Sequence, residues 1–258
     1  MPCPKQSNEY FGGLLDAQLS VTVTKTTPPA LRVMLACDDE RVFREMHTIL
    51  TPARETIIRK PGKRDSCVAL LTNGEAVKAL EFASAHCLMK KQMAAAALAF
   101  IQGTATLDAF VAAHAASADD SSPSIDDDDV SAPWISGFFD VRGLVVAAAA
   151  DKVTIDDDDT PQDSNKSAAA AEETETDDGG KKKRRRVTKR RGAIKIVLPK
   201  SEKYVIPMIQ KVVGGKVKRS SPCRIVFDSK DHLAKFIEVL GDHVRVKRSD
   251  LAEITAAA

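Results

Sequence analysis

Two stretches with the same pattern decide the fold of this 258-residue chain: Tyr10-Phe-Gly-Gly-Leu-Leu-Asp-Ala-Gln-Leu-Ser-Val and Trp134-Ile-Ser-Gly-Phe-Phe-Asp-Val-Arg-Gly-Leu-Val. Each runs aromatic, apolar, small, glycine, apolar, apolar, aspartate, and each leads into a strand-like stretch. They lie about half a chain length apart. Self-similarity at a fixed spacing indicates a repeated structural unit, so the chain is predicted to contain two copies of one fold.

The elements after the first stretch follow from hydrophobic periodicity and breaker residues. They are predicted to be strands at 19–25 and 31–37, a helix capped by Asp38, a hairpin of 56–60 and 66–72, and a helix capped by Asn73 that runs from Glu75 to about Phe110.

The second half repeats that order. The predicted elements are a strand at 144–155, a strand at 193–198, a helix from Ser201 closed by Gly214-Gly215, a hairpin of 216–219 and 224–227, and a helix from Ser229 or Asp231 through Leu240. Both halves therefore read αββαββα, and the expected fold class is α+β.

These motifs and this element order resemble the LAGLIDADG homing endonuclease and maturase family. The basic segments Cys87-Leu-Met-Lys-Lys-Gln-Met and Val244-Arg-Val-Lys-Arg-Ser-Asp-Leu also resemble one that the family carries in its last helical region. The resemblance implies a monomer with an internal pseudo-two-fold axis and two saddle-shaped antiparallel sheets. The halves are placed at 1–115 and 134–258, joined by an acidic linker at 116–133.

In this family the two motif helices pack side by side, and small residues allow the backbones to approach closely. Gly13 with Ala17, and Gly137 with Val141, are i,i+4 pairs on one helix face. These four residues are the predicted helix interface.

In active members of the family the eighth motif position is a carboxylate on each helix, and the pair holds divalent cations. The aligned residues here are Gln18 and Arg142. An amide carries no charge, and a guanidinium has no acceptor and favours a phosphate instead. Asp16 and Asp140 lie two residues earlier, about 200° around the helix, and cannot replace the eighth position. No catalytic residue, metal ligand or cofactor is therefore expected.

Lys90 and Lys247 match the family's basic residue near the catalytic centre. Two interpretations stay open for this pair: contact with backbone phosphates, or ordinary solvated lysines near a helix start.

The family binds DNA with the concave faces of its two sheets, because a β-ribbon fits the major groove. The resemblance implies contacts from polar residues that alternate along the strands: Ser20, Thr22, Thr24, Lys25 and Arg32 in the first half, and Lys195, Lys216, Lys218, Arg219 and Arg224 in the second. Ordinary solvated strand surface is the alternative. The second half is favoured by its excess of positive charge, which would make binding salt-dependent.

Charge is segregated along the rest of the chain. Residues 116–180 hold three basic and 18 acidic residues, and 181–191 hold nine basic and no acidic ones. An insert at 156–191 has no periodicity and is expected to be disordered. Its basic run favours nucleic-acid contact, with a nuclear localisation signal or neutralisation of the acidic tract as alternatives. The residues of that run are Lys181, Lys182, Lys183, Arg184, Arg185, Arg186, Lys189, Arg190 and Arg191.

Other features narrow the class of protein. Five widely spaced cysteines without a CxxC pair predict neither a zinc site nor a disulfide framework, and favour an intracellular setting. No apolar run is long enough to span a membrane, and no secretory or organelle presequence is evident. The basic run favours the nucleus, and the family ancestry a mitochondrion or plastid.

The sequence thus predicts a non-catalytic nucleic-acid-binding protein, with structured RNA favoured over DNA, as in an intron maturase or a component of a ribonucleoprotein such as a ribosome. The alternative is an active, magnesium-dependent DNA homing endonuclease with an atypical site. A third possibility is a scaffold that binds protein partners through the charged insert.

Overall fold

The computed structural model describes residues 7–24, 26–27, 30–50, 54–58, 66–118, 130–146, 192–219 and 222–256, with the backbone alone for 54–58. The elements of the first half are α1 (Asn8–Gln18), β1 (Leu19–Val23), β2 (Leu31–Cys37), α2 (Glu40–Glu45) with a 3₁₀ turn (Met46–Thr48), β3 (Arg54–Ile58), β4 (Ser66–Leu71), α3 (Asn73–His86), α4 (Lys91–Ile101) and α5 (Leu107–Ala118).

The second half repeats this order after the linker. Its elements are α6 (Ala132–Arg142), β5 (Gly143–Val146), β6 (Ala193–Leu198), a 3₁₀ turn (Lys200–Val205), α7 (Ile206–Val213), β7 (Lys216–Lys218), β8 (Cys223–Phe227), α8 (Lys230–Leu240) and α9 (Arg248–Ala256).

Each half builds one four-stranded antiparallel sheet, and the two sheets share one topology. The strand orders are β1-β2-β4-β3 and β5-β6-β8-β7. One face of each sheet is covered by helices, so buried residues alternate along β2, β4 and β6. Each sheet has its own hydrophobic core. The predicted α+β class and the repeated order are confirmed.

The motif helices α1 and α6 pack against each other at the junction of the halves. A Cβ added at Gly13 would lie 2.0 Å from the carbonyl oxygen of Trp134, and one added at Gly137 would lie 2.0 Å from that of Tyr10. Ala17 joins the core of the second half, and Val141 packs against both cores. The four predicted interface residues therefore lie in the contact, and only glycine fits at two of them.

The ends of α1 and α6 are fixed by matched capping residues. The Ser7 side chain accepts a hydrogen bond from the Tyr10 amide, and Ser131 does the same for Trp134. Two predicted caps are wrong by one residue: α2 is capped by Asp39 instead of Asp38, and α3 by a Thr72–Glu75 capping box instead of Asn73.

The single helix predicted from Glu75 to Phe110 is wrong, because the chain forms α3, α4 and α5 there. The first break, at 87–90, turns backbone amides towards the carboxylate of Asp16. The second break follows α4 and contains Gly103 at φ +74°, a conformation that favours glycine. Helix α9, which was not predicted, follows the corresponding break in the second half.

Two ion pairs join α2 to the second half. Arg41 pairs with Asp250 of α9 at 3.1 Å. The same guanidinium also pairs with Asp39 of the first half, at 3.0 Å. Glu45 pairs with Arg245 at 2.5 Å, and both of these side chains are mostly buried.

Candidate nucleic-acid interface

The two motif aspartates accept hydrogen bonds from backbone amides that lie just before helices elsewhere in the chain. Asp16 accepts hydrogen bonds from the backbone amides of Leu88, Met89 and Lys90, at 2.7–3.2 Å. These amides lie at the start of α4, where a carboxylate satisfies otherwise unpaired donors. Burial raises the pKa of Asp16, and the donors act in the opposite direction.

Asp140 repeats this arrangement before α9. It accepts from the amides of Arg245, Val246 and Lys247 at 3.0–3.2 Å. Both aspartates are fully buried and occupied by these amides. They therefore face away from the eighth motif position, as the sequence predicted.

Each aspartate also receives a hydrogen bond from the opposite half. The Trp134 indole nitrogen donates to Asp16 at 2.9 Å, and the Tyr10 hydroxyl donates to Asp140 at 2.7 Å. Tyr10 and Trp134 hold the same motif position. Burial and the neighbouring Asp140 raise the pKa of Tyr10, which keeps its hydroxyl protonated as a donor.

Lys90 and Lys247 close the C-terminal ends of the motif helices. The Lys90 ammonium donates to the Leu19 carbonyl at 2.5 Å. That of Lys247 donates to the carbonyls of Gly143 at 2.6 Å and Phe139 at 3.2 Å. Lys247 is 5% exposed. Both interpretations of Lys247 are therefore wrong, because it is neither solvated nor open to a phosphate. Lys90 is half-buried, and burial lowers its pKa.

A cavity of about 540 Å³ lies below the C-terminal ends of α1 and α6, and Gln18, Lys90, Arg142, Glu202 and Tyr204 are among its lining residues. Gln18 is 3% exposed, and neither of its amide atoms has a hydrogen-bond partner among the described residues. The structure thus brings together the two residues at the eighth motif position.

Arg142 is paired inside this cavity. Its Nη2 lies 3.4 Å from Oε1 of Glu202. Nε of Arg142 and Oε2 of Glu202 are buried and have no hydrogen-bond partner in the ranges that the structure describes. Burial raises the pKa of Glu202, although Arg142 and Lys90 oppose the shift. Burial also raises the pKa of Tyr204 to about 12, assisted by the negative charges of Asp16 and Glu202.

The outer face of the second sheet carries a cluster of cations. Lys216 and Lys195 flank Val226 in one row across the strands, and Lys218 pairs with Arg224 in the next row. Arg219 follows β7 and is exposed. Lys216 is paired with Asp228 at 3.2 Å. We call Lys195, Lys216, Lys218 and Arg224 the basic face.

The outer face of the first sheet is different. Ser20, Met34 and Leu70 lie side by side, and Ala36 lies beside Val68. The exposed Arg32 pairs with Thr22 on this face, and Arg54 of β3 lies opposite Leu70 in the register. The described side chains of the two faces therefore differ although their strands have the same order.

Solved structures share this arrangement. The I-LtrWI LAGLIDADG homing endonuclease bound to target DNA has a TM-score of 0.59 at 15% identity, covering 96% of this chain and 88% of that one. I-GzeII in complex with its DNA target gives 0.55 at 12%, over 97% and 89%. The meganuclease I-AabMI bound to uncleaved DNA gives 0.54 at 11%, over 97% and 90%.

This chain has the LAGLIDADG homing-endonuclease fold. No protein-family model matches the sequence, and no curated protein matches it. The likeness is therefore one of fold.

The ends of the two motif helices in this LAGLIDADG fold supply no carboxylate for a divalent cation. One of the two motif-helix ends presents a guanidinium, the other a neutral amide, and Glu202 is already paired with Arg142. Within the described ranges, no three His, Cys, Asp or Glu side chains are grouped so that they could hold a metal ion.

Several sequence predictions concern residues outside the described part of the LAGLIDADG fold. These are Lys25, most of the acidic linker, the insert at 156–191 and its basic run Lys181–Arg191. Helices long and apolar enough to cross a membrane are absent from the described ranges.

Sequence reasoning missed Glu202 and Tyr204, since nothing relates the 3₁₀ turn after β6 to the end of α6. It also missed the donor role of Tyr10 and Trp134. A signal for that role was present: both residues at this motif position are aromatics with a polar donor.

Proposed function

We propose that this protein binds nucleic acid without cleaving it, and that its target is structured RNA, as for an intron maturase or a ribonucleoprotein component. The observation that carries the proposal is the pair Gln18 and Arg142 at the ends of the motif helices, where the family resemblance implies two carboxylates. The amide carries no charge, and the guanidinium has no acceptor and repels a metal ion.

A nucleic-acid partner is supported by two observations. The similar solved structures named above are bound to DNA. The basic face places four cations on one outer sheet surface, and Asp228 is paired with one of them. Neutralising phosphates with such cations gives sequence-independent, salt-sensitive affinity.

Apolar side chains on the outer face of the first sheet favour RNA over a long DNA duplex. Met34, Leu70 and Val68 lie on this face, beside Ser20 and Arg32. RNA loops and bulges offer unstacked bases, which can contact apolar and aromatic side chains. We therefore assign phosphate contacts to the second half and base contacts to the first.

The test compares the full chain with a variant that carries Lys195→Gln, Lys218→Gln and Arg224→Gln. Affinity for a hairpin RNA and for a DNA duplex of equal length is measured by fluorescence anisotropy across a salt series. A plot of log K against log salt has a negative slope. We expect the triple variant to make that slope shallower by about 2–3, since each lost phosphate contact removes about 0.7–0.9 from its magnitude.

A matched control replaces three exposed lysines on the helices that cover the inner faces, Lys78, Lys230 and Lys235, with glutamine. This control changes net charge equally and should keep the slope. Equal slopes for the test and control variants would contradict the proposed interface. Tighter binding of the DNA duplex than of the hairpin would contradict the RNA assignment.

An active DNA endonuclease is the second candidate, because the similar structures are endonucleases, including one bound to cleaved DNA. Incubation with a plasmid library and Mg²⁺, followed by sequencing of the ends, separates the candidates. Magnesium-dependent breaks at a repeated sequence would overturn the non-catalytic proposal.

A further inference from the structure

Polar groups of the central cavity find no partner within the described part of the chain. Gln18 is almost fully buried, and its amide oxygen and nitrogen accept no hydrogen bond from any described residue and donate none to one. Leaving such a buried group unpaired destabilises the protein. A volume of about 540 Å³ lies within the range of small-molecule sites. The cavity therefore has both the room and the chemistry for an occupant that hydrogen-bonds to Gln18.

The set of unpaired atoms defines that occupant. Gln18 offers an acceptor and a donor, Glu202 offers the acceptor Oε2, and Arg142 offers the donor Nε. A free phosphate would place its negative charge against the Glu202 carboxylate, which already pairs with Arg142. A metal ion would face the Arg142 guanidinium. The atoms instead fit a neutral molecule with donors and acceptors along one edge.

The remaining walls suit a flat ring. Met89, Met93 and Val141 supply apolar surface, and Tyr204 supplies an aromatic ring. A glutamine amide donates and accepts, so it can pair with the edge of any base, and the acceptor Oε2 of Glu202 selects a base whose edge carries an amino group and not a bare carbonyl. Unstacked bases also pack on aromatic rings and guanidinium planes. These are the properties of a nucleobase site.

The cavity is open to the proposed nucleic-acid surface. Ser20 and Ala36 line it and also lie on the outer face of the first sheet. The Arg142 side chain is 33% exposed. A base leaving a bound strand on this face could therefore enter between the halves.

We infer that this cavity binds one unstacked nucleobase with an exocyclic amino group, and that the Gln18 amide pairs with its edge. The inference rests on the proposed function, since the base belongs to the bound RNA strand. A free nucleotide has the same base chemistry, and the experiment separates the two sources.

The experiment measures the affinity of the full chain for oligoadenylate, oligocytidylate and oligouridylate of equal length, and for AMP and UMP. Gln18→Met keeps the side-chain volume and removes both amide atoms. It should weaken oligoadenylate and oligocytidylate binding about tenfold and leave oligouridylate unchanged, as expected for the loss of one bidentate amide–base pair. Gln92→Met, at an exposed position on α4, should change none of the affinities.

A second measurement needs no variant. Oligoadenylate carrying one 2-aminopurine should brighten on binding, because the base leaves its stacked neighbours, and added AMP should compete. The inference is overturned if fluorescence stays constant, or if Gln18→Met weakens all three oligonucleotides equally or none.

The outcomes also distinguish this inference from the proposed function. Salt-sensitive binding of all three oligonucleotides, weakened by the basic-face variant and untouched by Gln18→Met, would overturn the base site and keep the proposed function. AMP binding that depends on Gln18, without oligonucleotide binding, would support the base site, assign it to free nucleotides and overturn the proposed function. Failure of AMP and all oligonucleotides to bind would overturn both.

Discussion

Replacing Gly137 with alanine tests how closely the two halves must approach. The new Cβ would lie 2.0 Å from the Tyr10 carbonyl oxygen and 3.0 Å from the Leu14 nitrogen, whereas ordinary contact begins at 3.4 Å. Both neighbours are helix backbone, so a side-chain rotation cannot relieve the overlap. Helices α1 and α6 would have to separate by about 1.4 Å, the difference between 2.0 and 3.4 Å.

The size of the effect follows from the packing that is lost. Overpacking of a tight contact costs about 1–3 kcal/mol, and a gap of about 1 Å removes up to half of each dispersion contact around it. Alanine returns about 0.5–1 kcal/mol through its better helix propensity. Because both neighbours are rigid backbone, we expect a net loss near the upper end of the remaining range, about 2 kcal/mol, or about 4–8 °C in Tm for a chain of this size.

The assay is urea unfolding of the full chain, with Gly74→Ala as the matched control. Gly74 is also helical, and an added Cβ there meets nothing within 4 Å. It should change stability by between 0 and about 1 kcal/mol, in the stabilising direction. The close-approach argument would be refuted if Gly137→Ala and Gly74→Ala had unfolding free energies within about 0.5 kcal/mol of each other.

Three further substitutions test the site. Tyr10→Phe should cost about 1.5–3 kcal/mol in urea unfolding, because it removes a buried hydrogen bond to the Asp140 carboxylate; a loss below 0.5 kcal/mol would show that this bond is not formed. Lys247→Met should destabilise the protein by about 2 kcal/mol without changing nucleic-acid affinity per folded molecule; weaker binding at unchanged stability would instead restore a phosphate role. The hydrogen bond from Arg41 lowers the pKa of Asp250, so the stability that this carboxylate adds is present above about pH 4 and lost as the pH falls through the lowered value. The gap in unfolding free energy between wild type and Asp250→Asn should stay below about 1 kcal/mol and close in acid, because water screens this exposed pair; a gap that widens in acid would contradict that assignment.

Most of the fold could be predicted from the repeated motif. A glycine, an aspartate and flanking apolar residues at matching positions predicted α1, α6 and their contact. Short strands followed from alternation, since burial on one sheet face leaves a period of two. The alanine-rich stretch after Glu75 was predicted as one helix because helix propensity alone favours it. Propensity does not show that the amides of 88–90 donate to Asp16, where the chain breaks between α3 and α4.

The candidate site was less predictable. Gln18 and Arg142 could be found because the motif fixes their position on each helix. The pairing of Arg142 with Glu202 depends on where the turn after β6 packs, and no local pattern encodes that placement. For Lys247, position alone could not show that its ammonium binds the end of a helix.

The exchange of ring donors between the halves makes each one chemically incomplete alone. Asp16 depends on an indole from beyond the linker, and Asp140 depends on a phenol from near the N-terminus. The two halves of the single chain thus depend on each other as two subunits would. A substitution at Tyr10 or Trp134 removes a hydrogen bond from the aspartate that holds the start of a helix in the opposite half. The aromatic residue that one half accepts at this motif position is therefore restricted by the aspartate of the other half.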